Sequence, residues 1–231
     1  MKYLALFRKE LREATPWLVL AALAMLLIGG LLAQNMRGRE PRFRRYRHGQ
    51  PDSTLRLHTL SRKSVLADCG PVVLLAATGL GLLLAARQFI LPSLLKTWAF
   101  TVHRSVSRTG VLLVKVAATA VSLSLGVGLL WTGLFLHASR PGALQYLPRP
   151  QVLAEGWLMV ALGMVVYLGA ALSAISTARW YTTRIFPLAF AVGIVTLALV
   201  QWGLAWSIAV TLLALVVLGP QLLHAFLHRE F

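Results

Sequence analysis

The chain has 231 residues, 58% of them hydrophobic and 13% charged, where a soluble domain carries roughly 25% charged residues; an ordinary soluble globule, a disordered chain and a collagen are excluded. Lysine and arginine number 23 against 7 aspartate and glutamate, a net charge of +16 that points to nucleic acid or to a membrane surface, and a mean hydropathy of +0.71 favours the membrane. The one cysteine, Cys69, excludes an intrachain disulfide, a cysteine-based zinc site and a CxxC redox pair.

Residues 1–16 place Tyr3, Leu4, Phe7 and Leu11 on one helical stripe, with Lys2, Arg8, Lys9, Glu10, Arg12 and Glu13 mostly opposite. That pattern suits an amphipathic helix lying in the headgroup plane before the chain turns into the bilayer. Residues 17–33 are uncharged and read as a first span, since a bilayer core of about 30 Å takes roughly 20 apolar residues as a helix. The segment ahead of them is too long and too acidic for a signal peptide, and Leu31 is not small enough for the −3 position of a cut after Ala33. Residues 34–65 form a polar loop with nine of the 23 cations, six of them arginines between Arg37 and Arg47. A second span follows at 66–86, then a basic connector at 87–109. The third span, 110–136, carries Lys115 one turn inside one end, where a long side chain can snorkel to the interface. A loop with three prolines covers 137–151, and a fourth span runs over 152–178 with Glu155 near its start.

The last uncharged run, 185–223, has 39 residues and would be about 58 Å long as one helix, twice the bilayer core. Two helices folded back at Gln201-Trp202-Gly203 fit better, giving spans at 185–201 and 203–223 and a short tail at 224–231; a re-entrant piece is the alternative. The expected architecture is an all-α integral membrane protein: six transmembrane helices, 17–223, preceded by the N-terminal interfacial amphipathic helix. Period-two alternation is missing, so a barrel is excluded. Positive-inside counting ties, with twelve cations on the N-terminal side and eleven on the other.

The stretch Thr97-Trp98-Ala99-Phe100, followed by Val106-Ser107-Arg108, Leu112-Leu113 and Lys115, resembles the membrane subunits of type-2 ATP-binding-cassette (ABC) transporters. These often carry G-T-W-x-F-L-x-S-x-P-V-S-R-x-x-x-L-L-x-K between their second and third spans. The opening Leu6-Phe7-Arg8-Lys9-Glu10-Leu11-Arg12-Glu13 looks like the family's interfacial helix. Lys96 and Ser105 depart from the pattern, standing where the family commonly has Gly and Pro, and motif-level similarity covers about 35 residues. The resemblance implies an export permease subunit in the cell (inner) membrane, with both termini cytoplasmic and the Arg-rich loop outside, against that loop's own charge preference. It implies an ATPase-coupling interface at Thr97, Trp98, Phe100, Arg104, Val106, Ser107 and Arg108, and an interfacial helix presenting Phe7, Arg8, Lys9, Glu10 and Glu13. No GxxxxGK[ST] occurs, so a transporter of this kind needs a separate ABC ATPase subunit to hold ATP and Mg; the resemblance thus implies a transport subunit and not an enzyme. A second permease copy or paralogue is the other expected partner, because a half-transporter of six spans needs one to enclose a pathway.

Each candidate site has a plainer reading. The 97–108 connector can insert Trp98 and Phe100 into a partner groove, or simply anchor at anionic headgroups. Arg42, Arg44, Arg45 and Arg47, interleaved with Phe43 and Tyr46, resemble a stacking-plus-phosphate site, but between two spans they suit headgroups or an anionic substrate better than nucleic acid, and a solvated loop best of all. Ala118, Ser122 and Gly126, like Ala170, Ala174 and Ala178, recur every fourth residue and suit close packing within the subunit or a dimer seam. His224 and His228 lack a third ligand for a metal. Asp68, Arg87, Lys115 and Glu155 lie near span ends, so a proton relay is not expected. The reading from a different class is a non-transporting multi-pass membrane scaffold.

Overall fold

The computed structural model describes residues 2–37, 69–95, 107–140, 149–176, 184–200 and 203–228. Among these the secondary structure is helical, in six segments: α1 (Lys2–Arg37), α2 (Gly70–Leu94), α3 (Arg108–Ala138), α4 (Pro150–Ile175), α5 (Phe186–Leu199) and α6 (Leu204–His228). Local chemistry sets their starts. Pro71, Pro150 and Pro187 occupy the first turns of α2, α4 and α5, where a missing N–H is no loss. Ser107 caps α3, its hydroxyl accepting from the Gly110 amide at 3.2 Å. Between α5 and α6, Gly203 has φ +96°, a left-handed turn that glycine adopts without strain.

Helices α2, α3, α4 and α6 are long and apolar enough to cross a membrane, at 25 to 31 residues or about 37 to 46 Å. They fit a multi-pass membrane protein. Helix α5, with 14 residues, reaches only about 21 Å. Contacts along the rods show neighbours in sequence running antiparallel, so α2 and α4 are parallel. These two make the most extensive contact of the bundle. Their backbones meet at Gly81 and Gly163, where a Cβ on Gly163 would lie 2.7 Å from the Ala77 carbonyl oxygen; small residues let apolar helices gain close van der Waals packing where no hydrophobic drive operates between them. Helix α4 is the central one, apolar on nearly every side, with Leu162, Val165, Tyr167 and Ala171 fully buried.

Two expectations are revised. The division between an interfacial helix at 1–16 and a span from 17 is not a break: α1 runs through, with Pro16 inside it. Proline removes one backbone donor and crowds the preceding turn. There the Thr15 hydroxyl donates to the Leu11 carbonyl at 3.1 Å, and the Arg87 guanidinium donates to the Glu13 carbonyl, so side chains serve carbonyls on the turn before the proline. Next, the connector expected from residue 87 begins later, because α2 continues through Arg87 to Leu94. It does so by widening: residues Ala86–Ile90 are a π-helical turn, the Leu91 amide bonding back five residues to Ala86. A second π-helical turn, Ser124–Gly128, lies in α3. Along α1, Phe7 and Leu11 are half-buried. Tyr3 and Leu4 are exposed, whereas Glu10, Ala14 and Met25 are buried and Leu18 and Ala21 pack against the core.

Candidate functional site

The buried stripe of α1 carries a carboxylate into the bundle. Glu10 accepts a hydrogen bond from Lys115 of α3 at 2.7 Å, with both side chains only 9% exposed. A charge removed from water requires a partner and good geometry, or its desolvation is uncompensated. Lys115 therefore does not snorkel to the interface as its position near a span end suggests, and Glu10 does not sit on the solvated side of an interfacial helix. One turn further along α1, Glu13 accepts from Arg87 of α2 at 3.2 Å. The same guanidinium reaches the Glu13 backbone, so Arg87 grips side chain and main chain together. Both partners are about one-third exposed, and the pair contributes correspondingly less than the buried one.

Arg87 belongs to the π-helical turn of α2, and so does Gln88, which is buried. The Gln88 side-chain oxygen accepts from the Tyr167 hydroxyl of α4 at 2.6 Å and from the Thr119 hydroxyl of α3 at 3.4 Å. Phe89 of the same turn packs against the Tyr167 ring, centroids 6.2 Å apart. A single π-helical turn shifts the helical phase and is common at functional positions; here it supplies consecutive residues to α1 through Arg87 and to α3 and α4 through Gln88. Tyr167→Phe is expected to cost about 1 kcal/mol, since the Gln88 oxygen keeps only the longer contact to Thr119. The unfolding midpoint of the purified protein in neutral detergent measures it.

At the outer edge of this junction, the Tyr3 hydroxyl lies 3.2 Å from the Ser107 hydroxyl, and the Tyr3 ring lies so close to Gly110 that a Cβ there would overlap it. Hence the start of α1, the end of α2 and the start of α3 form one polar corner beside the last turns of α4.

The sequence candidates distribute as follows. Phe7 is half-buried, Arg8 and Lys9 are exposed, and Glu10 and Glu13 enter the ion pairs just described. Ser107 caps α3 and Arg108 is its first residue. Thr97, Trp98, Phe100, Arg104 and Val106 lie outside the described residues, as do Arg42, Arg44, Arg45, Arg47 and Ala178. Ala118, Ser122, Gly126, Ala170 and Ala174 are all buried within the single chain; Gly126, for one, receives the Leu18 side chain. Those positions offer no surface to a second copy. The His224 and His228 rings stack with centroids 4.1 Å apart. Sequence reasoning missed Gln88, Thr119 and Tyr167. The available signal was Arg87-Gln88 set between two apolar stretches, a polar pair inside a helix more than after one.

No protein-family model, no curated protein and no solved structure matches the chain.

Proposed function

We propose that the chain is the permease subunit of an ATP-driven export transporter of the ABC-2 type, embedded in the cell (inner) membrane with both termini cytoplasmic. In this reading the uncharged part of α1 and the α5 segment complete six spans with α2, α3, α4 and α6. The first turns of α1 form the amphipathic element at the headgroups. ATP and Mg bind a separate ATPase subunit, and a second permease copy or paralogue completes the pathway. The observation that carries the proposal is the meeting of Tyr3 with Ser107 and Gly110. Ser107, at the end of the segment that the resemblance assigns to the ATPase, thus adjoins the chain's opening helix at one end of the bundle. A push on that corner reaches α2, α3 and α4 through Glu13–Arg87, Glu10–Lys115 and Gln88–Tyr167.

The test is co-purification and reconstitution. Tagged protein is expected to bring down an ATPase subunit, and the pair in liposomes to hydrolyse ATP faster than the ATPase alone. Trp98→Ala is expected to weaken the association about 30-fold, as for an aromatic anchor of an interface. If no ATPase is recovered and none encoded beside the gene is stimulated, the transporter reading fails and the scaffold reading stands.

A further inference from the structure

At the opposite end of the bundle from the polar corner, the first turns of α2 and α4 and the last turns of α3 and α5 enclose a cavity of about 210 Å³. One face of α4 forms its floor: Val152, Glu155, Gly156 and Met159 follow the helical spacing of three and four. Trp131 of α3 forms a wall. It is 1% exposed, its indole N–H donates to the Leu153 carbonyl at 3.3 Å, and its ring occupies the space where a Cβ on Gly156 would be. The wall is thus fixed from two sides. Pro71 and Leu74 of α2 close the remaining side.

The lining is apolar except for one carboxylate. Three acidic residues lie among the described residues; Glu10 and Glu13 are ion-paired, and Glu155 forms no ion pair there. Glu155 is exposed, so its charge stays solvated at the mouth while the cavity behind it is greasy. A carboxylate at the mouth of an apolar cavity attracts the positive end of a ligand whose remainder is apolar. Size narrows the class. An apolar cavity of about 150 Å³ takes benzene, and a water's share of liquid volume is about 30 Å³; the present cavity takes one ring and a small ammonium group.

We propose that this cavity is a binding site for a small organic cation, with its ammonium at Glu155 and an apolar body of about one ring between Trp131, Leu74 and Met159. The site stands whether or not the chain is driven by ATP.

The full-length protein in dodecyl maltoside is tested by equilibrium dialysis with benzyltrimethylammonium and with its neutral isostere neopentylbenzene. The cation is expected to bind about tenfold more tightly than the isostere, through its attraction to the Glu155 carboxylate. Glu155→Gln, an exposed position, is expected to abolish that preference and leave neopentylbenzene binding unchanged. Met159→Phe fills the cavity and is expected to weaken both, with unchanged elution on size exclusion reporting intact folding. Displacement of the probe by dihexanoyl phosphatidylcholine assigns the natural ligand to a lipid headgroup, and persistence of the probe assigns it to a soluble amine. Equal binding of cation and isostere by the unmodified protein, as for a cavity that takes lipid or detergent tails, overturns the proposal. So does a cation affinity that Glu155→Gln leaves unchanged.

Discussion

Glu10→Ala is expected to lower the unfolding free energy by about 3–5 kcal/mol, the penalty for breaking a buried ion pair from one side. The Lys115 ammonium sits with only 9% of its side chain exposed, 2.7 Å from the carboxylate, and the substitution removes its counter-charge while the helices around it stay packed. Lys115→Ala is expected to cost a similar amount for the reciprocal reason. The informative comparison is the double variant Glu10→Leu with Lys115→Met. Removing both charges and keeping the volume recovers most of the loss, to within about 1 kcal/mol of the unmodified protein, because paired burial of charges is close to neutral against an apolar replacement. Unfolding by SDS titration in dodecyl maltoside micelles gives the three values. A single-variant loss below about 1 kcal/mol, the size found for exposed pairs, would show that water reaches the pair.

Glycine-to-alanine changes are expected to have opposite signs in α4 and α5. Gly163→Ala puts a methyl group 2.7 Å from the Ala77 carbonyl oxygen and 2.9 Å from its Cβ. Backbone on one side and a rigid methyl on the other cannot yield without parting α2 from α4, so a loss of about 2–3 kcal/mol follows, at the upper end for overpacking; Gly163→Leu is expected to prevent assembly. Gly193 in the middle of α5 has nothing within 4 Å of where a Cβ would lie. Gly193→Ala is expected to gain up to about 1 kcal/mol from helix propensity. The same titration reads both, and equal effects at the two sites would mean that the α2–α4 approach is looser than its geometry.

The long apolar runs made the helices legible. Length against bilayer thickness placed α3 and α4 within about three residues of their bounds, while α2 and α6 run on about eight and five residues past the expected ends; the turn expected around Gly203 coincides with the positive φ found there. What the sequence did not reveal was which face of each helix points inward. In water an apolar stripe marks the core; here the stripe Tyr3, Leu4, Phe7 and Leu11 reads as the membrane-facing side of a headgroup-plane helix, with Glu10 mostly on the opposite, solvated side. In a bilayer the exterior is apolar too, so hydrophobicity carries little information about direction, and polar side chains go where they find partners. Leu4 is accordingly 67% exposed and Glu10 8%. The partners of Glu10, Glu13 and Gln88 lie 105, 74 and 79 residues away, beyond the reach of any local pattern. Arg87 was a further obstacle. A cation after a long apolar run reads as the end of a span, and only the contact with Glu13 explains why α2 passes through it. The small-residue ladders were visible as close-packing stripes, but spacing alone could not say whether the close neighbour belonged to the same chain.

The wide separation of Glu10 from Lys115 also orders the birth of the protein. Translation proceeds at about 5–20 residues per second, so the ammonium that matches Glu10 is made roughly 5–20 seconds after the carboxylate. Until then the inward face of α1 holds a charge with no place in the bundle. Arg87 emerges in the interval and can secure Glu13 first. The helix that opens the chain is thus held in waiting, anchored in two stages by residues of the second and third long helices, and it takes its final seat only when α3 has been made.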